Sequence, residues 1–284
     1  MTWLLDGDPA IRWQVRRDLL DDPAGASADR TLVETTGWGA ELLDAQTPSG
    51  DWGHGAWSPE GLLGVDDAML LLALLGATGP RTWAAAARVK AGVDWGEEWW
   101  NCPFFDGEVE ACINARVLTA GAHVGEASEL IVTRLLEEQQ DDGGWNCFAE
   151  TREQPGSFHS TICALEGLTA YRDTDGPSPV GTAIGRGQEY LLSRSLMRRR
   201  RDGSLISEAW LDFRFPFSWH YDVLRGLDSL RAAGVAADPR AAAALGVFLR
   251  DVGQSADGWL AADGGVGPVV IVGVQPGREC VAAG

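Results

Sequence analysis

The chain has 284 residues, 41 acidic against 23 basic side chains, and a formal net charge of −18. No basic face remains to neutralise phosphates, which argues against a nucleic-acid partner, while a hydrophobic fraction of 45% suffices for a sizeable core. The longest apolar run, Ala68 to Ala77, is about half of a bilayer span, and the acidic N-terminus and five unpatterned cysteines lead to an expectation of reduced thiols and a cytoplasmic location.

In chain order, Asp8-Pro9 is a cap-plus-first-turn start for a helix through Leu20. Residues 1–30 are expected to pack on the body that follows. A polar helix over Thr31–Leu43 leads into Gln46-Thr-Pro-Ser-Gly-Asp-Trp52, the first of three turns that join a glutamine to Gly-Trp or Gly-Asp-Trp. The others are Gln140-Asp-Asp-Gly-Gly-Trp145 and Gln254-Ser-Ala-Asp-Gly-Trp259. Their glycines stop the preceding helix, because a left-handed C-cap needs them.

A second series alternates with these turns. Val65-Asp-Asp-Ala68, Glu110-Ala-Cys-Ile-Asn114, Phe158-His-Ser-Thr-Ile-Cys163 and Trp219-His-Tyr-Asp-Val223 each open an apolar stretch: Leu70–Leu75, Val117–Ala122, Leu165–Ala170 and Leu224–Leu230. Markers at Asp66, Cys112, His159 and His220 are spaced by 46, 47 and 61 residues. A period near 47 is two helices plus two turns, a repeated α-hairpin, and the last step holds an insertion around 198–217. Arg81–Ala91, Glu126–Gln139, Val180–Arg194 and Pro239–Arg250 have mixed faces and suit an outer layer. Strand signals are confined to a weak alternation over Val269–Val274, inside a glycine-rich tail at 255–284. The expectation is an all-α, single-domain chain, with the four polar clusters at equivalent ends of inner helices whose N-termini add positive potential there.

The Gln…Gly-Trp turns resemble the QW repeats of squalene and oxidosqualene cyclases. Phe158-His-Ser-Thr-Ile-Cys-Ala-Leu-Glu-Gly-Leu168 is similar to the histidine-bearing inner helix of protein prenyltransferase β subunits. The resemblance covers most of Thr31 to Arg250. It implies an α/α toroid, a double ring of helices around a hydrophobic cavity, incomplete at the C-terminus because the tail does not read as a helix. It further implies an enzyme acting on a hydrophobic, isoprenoid-type substrate by cyclisation or isomerisation. Squalene cyclases carry two such domains, so this chain supplies one, alone or in a homo- or hetero-oligomer.

Two chemistries compete at the helix tips. Gly64-Val-Asp-Asp67 resembles the acid motif of class II terpene cyclases, with Asp66 in the place of the proton donor and Asp67 as the last aspartate. The first aspartate of that motif is a glycine here, and both acids can equally cap an inner helix. Glu110-Ala-Cys112 and His159 resemble the zinc ligands of protein prenyltransferases. His220 and Asp222 stand at the equivalent place one repeat on, so Cys112, His159, His220 and Asp222 form a candidate zinc set for a transferase or hydrolase. The alternative is hydrogen-bonded core histidines and a small apolar cysteine. Cys147 reads as a buried thiol, with approach to the same rim as the alternative. Cys102 and Cys163 read as packing residues, His54 as surface, and His123 as a helix-end residue.

Of the aromatics crowding the loops before inner helices, Trp100, Phe104, Phe105, Phe217, Trp219 and Tyr221 are candidates for lining a substrate cavity, where ring faces stabilise cations; packing is the alternative. Arg116, Arg214 and Arg225 are expected in surface salt bridges or against an anionic head group. A third reading is a non-catalytic module that binds a lipid or a protein through the same cavity.

Overall fold

The computed structural model describes residues 2–58, 62–175 and 180–255. Twelve α-helices lie among them: α1 Thr2–Leu5, α2 Pro9–Leu19, α3 Pro23–Leu32, α4 Trp38–Asp44, α5 Val65–Leu75, α6 Pro80–Gly92, α7 Ala111–Val124, α8 Glu129–Glu138, α9 Phe158–Asp175, α10 Val180–Leu192, α11 Val223–Ala232 and α12 Ala242–Ser255. Among the described residues the only β pairing is three isolated bridges, so this part of the chain is all-α. No helix among the described residues is long and apolar enough to cross a membrane.

The helices form two layers. The apolar helices α5, α7, α9 and α11 pack side by side in chain order, while α4, α6, α8, α10 and α12 each pack on an adjacent inner helix. The division follows from sequence: Val65, Ala68, Met69, Leu72 and Leu75 of α5 are all buried, as are Ala115, Val117, Leu118 and Ala120 of α7, because these helices are covered on more than one side.

The glutamine–tryptophan turns hold the outer layer. Trp52 donates its indole N–H to the Leu42 carbonyl at 2.8 Å, and Trp145 does the same to Leu135 at 2.7 Å, so each ring caps the end of the outer helix before it. Gln46 Nε2 donates to Gly50 and, across the layer, to the Ala85 carbonyl of α6; Gln139 Nε2 donates to Gly143 and to the Ala183 carbonyl of α10. Each glutamine also accepts from an arginine of that next helix, Arg88 or Arg186. Gly50 and Gly143 have φ of 95° and 90°, and a Cβ on either would lie 2.6 or 2.5 Å from a carbonyl oxygen of the neighbouring outer helix. The turn therefore admits only glycine there.

These bonds correct the sequence reading by one residue. Gln139, not Gln140, matches Gln46, with the same spacing of four to the glycine and six to the tryptophan. Gln140 instead donates to Glu138. Thr31–Leu43 is not one helix: α3 ends at Leu32, and Gly37, with φ 72°, starts α4. The third turn at Gln254–Trp259, except for its first two residues, and the tail after Ser255, with its weak alternation, lie outside the described residues.

Several side chains tie the N-terminal helices to the layers, among them Arg30 of α3, which donates to the Gly76 carbonyl at 3.1 Å. Asp8 caps α2 through Ala10 N–H and also accepts from the Trp38 amide of α4, both at 2.8 Å. Trp13 donates to the Leu75 carbonyl at the end of α5. The insertion at 198–217 folds on itself: Arg198 and Arg199 spend their guanidinium groups on carbonyls of their own loop, and Arg201 pairs with Asp202.

Candidate functional site

The N-terminal halves of the inner helices are joined by a set of polar contacts. Arg116 of α7 pairs with Asp66 of α5 at 2.9 Å and also bonds Asp67. Cys163 of α9 feels the charges of both Arg116 and Arg225, and Arg225 of α11 forks onto Glu166 of α9 with contacts of 2.9 and 2.6 Å. The same ends carry Cys112 on α7, and His159 and Ser160 on α9. His220 lies in the loop before α11. Of the positions 66, 112, 159 and 220, the rings of His159 and His220 stand 6.1 Å apart, and Asp66 reaches α7 through Arg116.

Asp66 is 1% exposed and Arg116 2%. Neither Asp66 oxygen has a well-formed hydrogen bond beyond the ion pair, and Arg116 Nε has none. Burial pushes the Asp66 carboxyl up to about 6, with Arg116 pulling it down and Asp67 pushing it up. Arg116 and Arg225 are thus buried counter-ions, not the surface or head-group arginines expected from sequence; Arg214 alone of the three is exposed.

A thiol centre lies beside these contacts. Glu110, Cys112 and Cys147 offer ligand atoms that all lie within 4.8 Å of one another. Glu110 precedes α7, Cys112 occupies its first turn, and Cys147 comes from the loop directly after the Trp145 cap. The Cys112 thiol lies 3.7 Å from Glu110 Oε2. The Cys112 amide donates to Cys147 Sγ at 3.3 Å, and Ser160 Oγ is 3.2 Å from that sulfur. Buried Glu108 accepts from the Val109 and Glu110 amides and fixes the approach to α7.

The two thiols are electrostatically unequal. The Cys112 thiol is raised, first because its proton is held in a hydrogen bond to Cys147 and then by burial. The Cys147 thiol is lowered by accepting that bond, against burial, with help from Ser160 and the Cys112 amide. Metal-free protein given limiting iodoacetamide at pH 7 is therefore expected to be alkylated at Cys147 before Cys112. Peptide mapping by mass spectrometry reads the order, and Cys112 reacting first would contradict it.

The zinc set expected from sequence, Cys112, His159, His220 and Asp222, does not come together as one. His159 Nδ1 accepts the Tyr221 amide at 2.8 Å. Burial, then His220 and Arg225, lowers its pKa to about 4, so the ring is neutral at pH 7 with its proton on Nε2. Neither nitrogen then offers a lone pair to a cation. The Asp222 carboxylate caps α11 through the Arg225 amide at 2.8 Å. His220 stacks on Trp219 with centroids 3.9 Å apart. Of the proposed four, Cys112 alone belongs to the compact donor group.

The aromatic candidates divide. Phe104 and Phe105 are buried in the core, Phe104 stacked on Trp95 and Phe105 edge-on to Phe104. Tyr221 is buried and donates to the Leu196 carbonyl. Phe217 lies 4.0 Å under the Arg225 guanidinium, and Trp100 and Trp219 are exposed. Sequence reasoning left Cys147 outside the site and passed over Ser160. The signal for the first was the placement of Cys147 two residues after a turn tryptophan, which carries it to the tips of α7 and α9. His54 is exposed, Cys102 half-buried and Cys163 buried, as expected.

Comparison with known protein families, with curated proteins and with solved structures finds no significant match for this chain.

Proposed function

We propose that this chain is a zinc-dependent enzyme that acts on an apolar substrate, with Glu110, Cys112 and Cys147 as the metal ligands and the two helical layers closing as an α/α toroid. The observation that carries this reading is the donor geometry. Tetrahedral zinc with bonds of about 2.1 Å to oxygen and 2.3 Å to sulfur sets its ligand atoms about 3.6–3.8 Å apart. Glu110 Oε2 and Cys112 Sγ already stand at 3.7 Å, and Cys147 Sγ lies within 4.8 Å of both. Two sulfurs and one oxygen suit zinc, and three protein ligands leave the fourth position for water or substrate.

Bound there, zinc would supply a Lewis acid and generate a nucleophile from water or a thiol at neutral pH. The chain's own residues prepare the place. Glu108 orients the Glu110 backbone, the α7 N-terminus and Ser160 hold the Cys147 sulfur, and Trp145 fixes the loop that delivers it. The resemblance to the prenyltransferase and cyclase superfamily supports the substrate class.

Protein purified without a histidine tag is expected to contain about one zinc per chain. Cys112→Ser and Cys147→Ser are each expected to lose it while keeping their helical circular dichroism, and His159→Ala to retain it. Zinc-free, folded wild type, or full zinc in Cys147→Ser, would overturn the reading.

One observation favours the protonating-cyclase reading: a buried carboxyl at Asp66 raised to about 6. Arg116 weighs against it, because a guanidinium on both carboxylates favours the charged form that cannot donate. Turnover of a polyene by wild type but not by Asp66→Asn would favour that reading over the zinc site.

A further inference from the structure

The two sulfurs of the thiol centre receive different hydrogen bonds, and one residue accounts for much of the difference. Ser160, in the first turn of α9, is 4% exposed. The Cys147 amide donates to its Oγ at 3.3 Å, and the same Oγ lies 3.2 Å from Cys147 Sγ. With that amide donating into the hydroxyl oxygen, the hydroxyl proton is free to point at the sulfur. The Cys112 amide donates to the same sulfur at 3.3 Å. Cys147 Sγ therefore has two donors that remain in place once both thiols have lost their protons. Cys112 Sγ faces the Glu110 carboxylate at 3.7 Å, and among the described residues no hydrogen-bond donor reaches it.

Resting on the zinc reading above, we propose that in the metal-loaded protein Cys147 is the anchored sulfur and Cys112 the reactive one, with Ser160 as the positioning residue that separates them. Without metal, the ionised fraction orders the two thiols. On the metal both are thiolates, and the availability of lone pairs orders them instead. Hydrogen bonds withdraw electron density from sulfur, and a less basic thiolate is a weaker nucleophile. Ser160 acts on the metal only through Cys147, which is how outer partners tune a site. An electrophile arriving at the open position would thus meet Cys112 as the more nucleophilic ligand.

The test uses zinc-loaded full-length protein, trace iodoacetamide, an early quench and peptide mapping. Each alkylation forms one S–C bond at a thiolate and expels iodide. Carbamidomethylation of Cys112 is expected to exceed that of Cys147 by about tenfold, the scale of one hydrogen bond to a charged group. In Ser160→Ala the ratio is expected to fall several-fold, and in Ser160→Thr, which restores the hydroxyl, to return. With cobalt(II) in place of zinc, the sulfur-to-metal charge-transfer band of Ser160→Ala is expected to move to longer wavelength, and that of Ser160→Thr to stay with wild type. Metal content is measured on the same samples. Equal alkylation of the two cysteines in metal-loaded wild type, or a Ser160→Ala protein with wild-type ratio and band, overturns the role of Ser160 and leaves the zinc reading standing. Wild type that takes up neither metal overturns both.

Discussion

Arg116→Met is expected to destabilise the protein by about 3–5 kcal/mol at pH 7.5, because it leaves a buried carboxylate without its counter-charge. Asp66 is 1% exposed, and Arg116 is the cation it meets, at 2.9 Å. The cost should depend on pH with a definite sign. The folded-state pKa of Asp66 is raised from 3.8 to about 6, so between those values the folded protein holds more proton than the unfolded chain. The Asp66 contribution to stability therefore falls as pH rises through that window. Removing Arg116 removes the downward pull and extends the window upward. Urea melts of Arg116→Met should show its deficit widest above pH 7 and narrowing towards pH 4, where Asp66 is protonated in the variant. Asp66→Asn added to Arg116→Met should recover most of the loss at pH 7.5. A deficit independent of pH would mean that lost packing, not an orphaned charge, dominates.

Trp145→Ala is expected to cost about 3–5 kcal/mol through loss of a large buried ring. The ring is fully buried, its indole N–H caps Leu135, and its amide donates to Thr161 Oγ1 at 2.9 Å. Trp145→Phe keeps most of the packing and removes the indole bond, so its loss should be nearer 1–2 kcal/mol. Trp52→Ala should fall in the same range as Trp145→Ala, since Trp52 makes the equivalent bond to Leu42. Denaturant midpoints at constant m-value check all three, and a Trp145→Ala protein within about 1 kcal/mol of wild type would deny the turn its structural role.

How far the sequence could be read depended on what kind of interaction was in play. The hairpin period, the inner apolar helices and the Asp8-Pro9 start were legible because they rest on periodicity and capping, which are local. The register of the second turn was not: Gln139 and Gln140 are indistinguishable until Ala183 and Arg186 of another helix choose between them. Glu110 and Cys112 came forward through their resemblance to prenyltransferase zinc ligands, and the candidate zinc set kept Cys112 of the two. Cys147 was legible only as a thiol that follows a turn tryptophan towards the same rim; its contact with the Cys112 amide depends on how α7 packs against that loop. His159 was expected as a ligand because its helix resembles the histidine-bearing inner helix of prenyltransferase β subunits. The Tyr221 amide that occupies its Nδ1 comes from 62 residues away. Arg116 and Arg225 were expected in surface salt bridges or against an anionic head group, because arginine is rarely buried unless paired. Their burial follows from carboxylates on neighbouring inner helices.

The glutamine bridges also bear on how the outer layer is divided. They link α4 to α6 and α8 to α10; among the described residues no glutamine bridge joins α6 to α8, where the exposed Lys90–Glu126 ion pair spans the gap instead. A shallow groove of about 370 Å³ lies at that joint, lined by Lys90, Pro103, Phe105 and Gly125 to Ser128. The layer is thus clasped in pairs, and native-state breathing should start at the unclasped joint, leaving two double-helix blocks that each exchange their amides cooperatively.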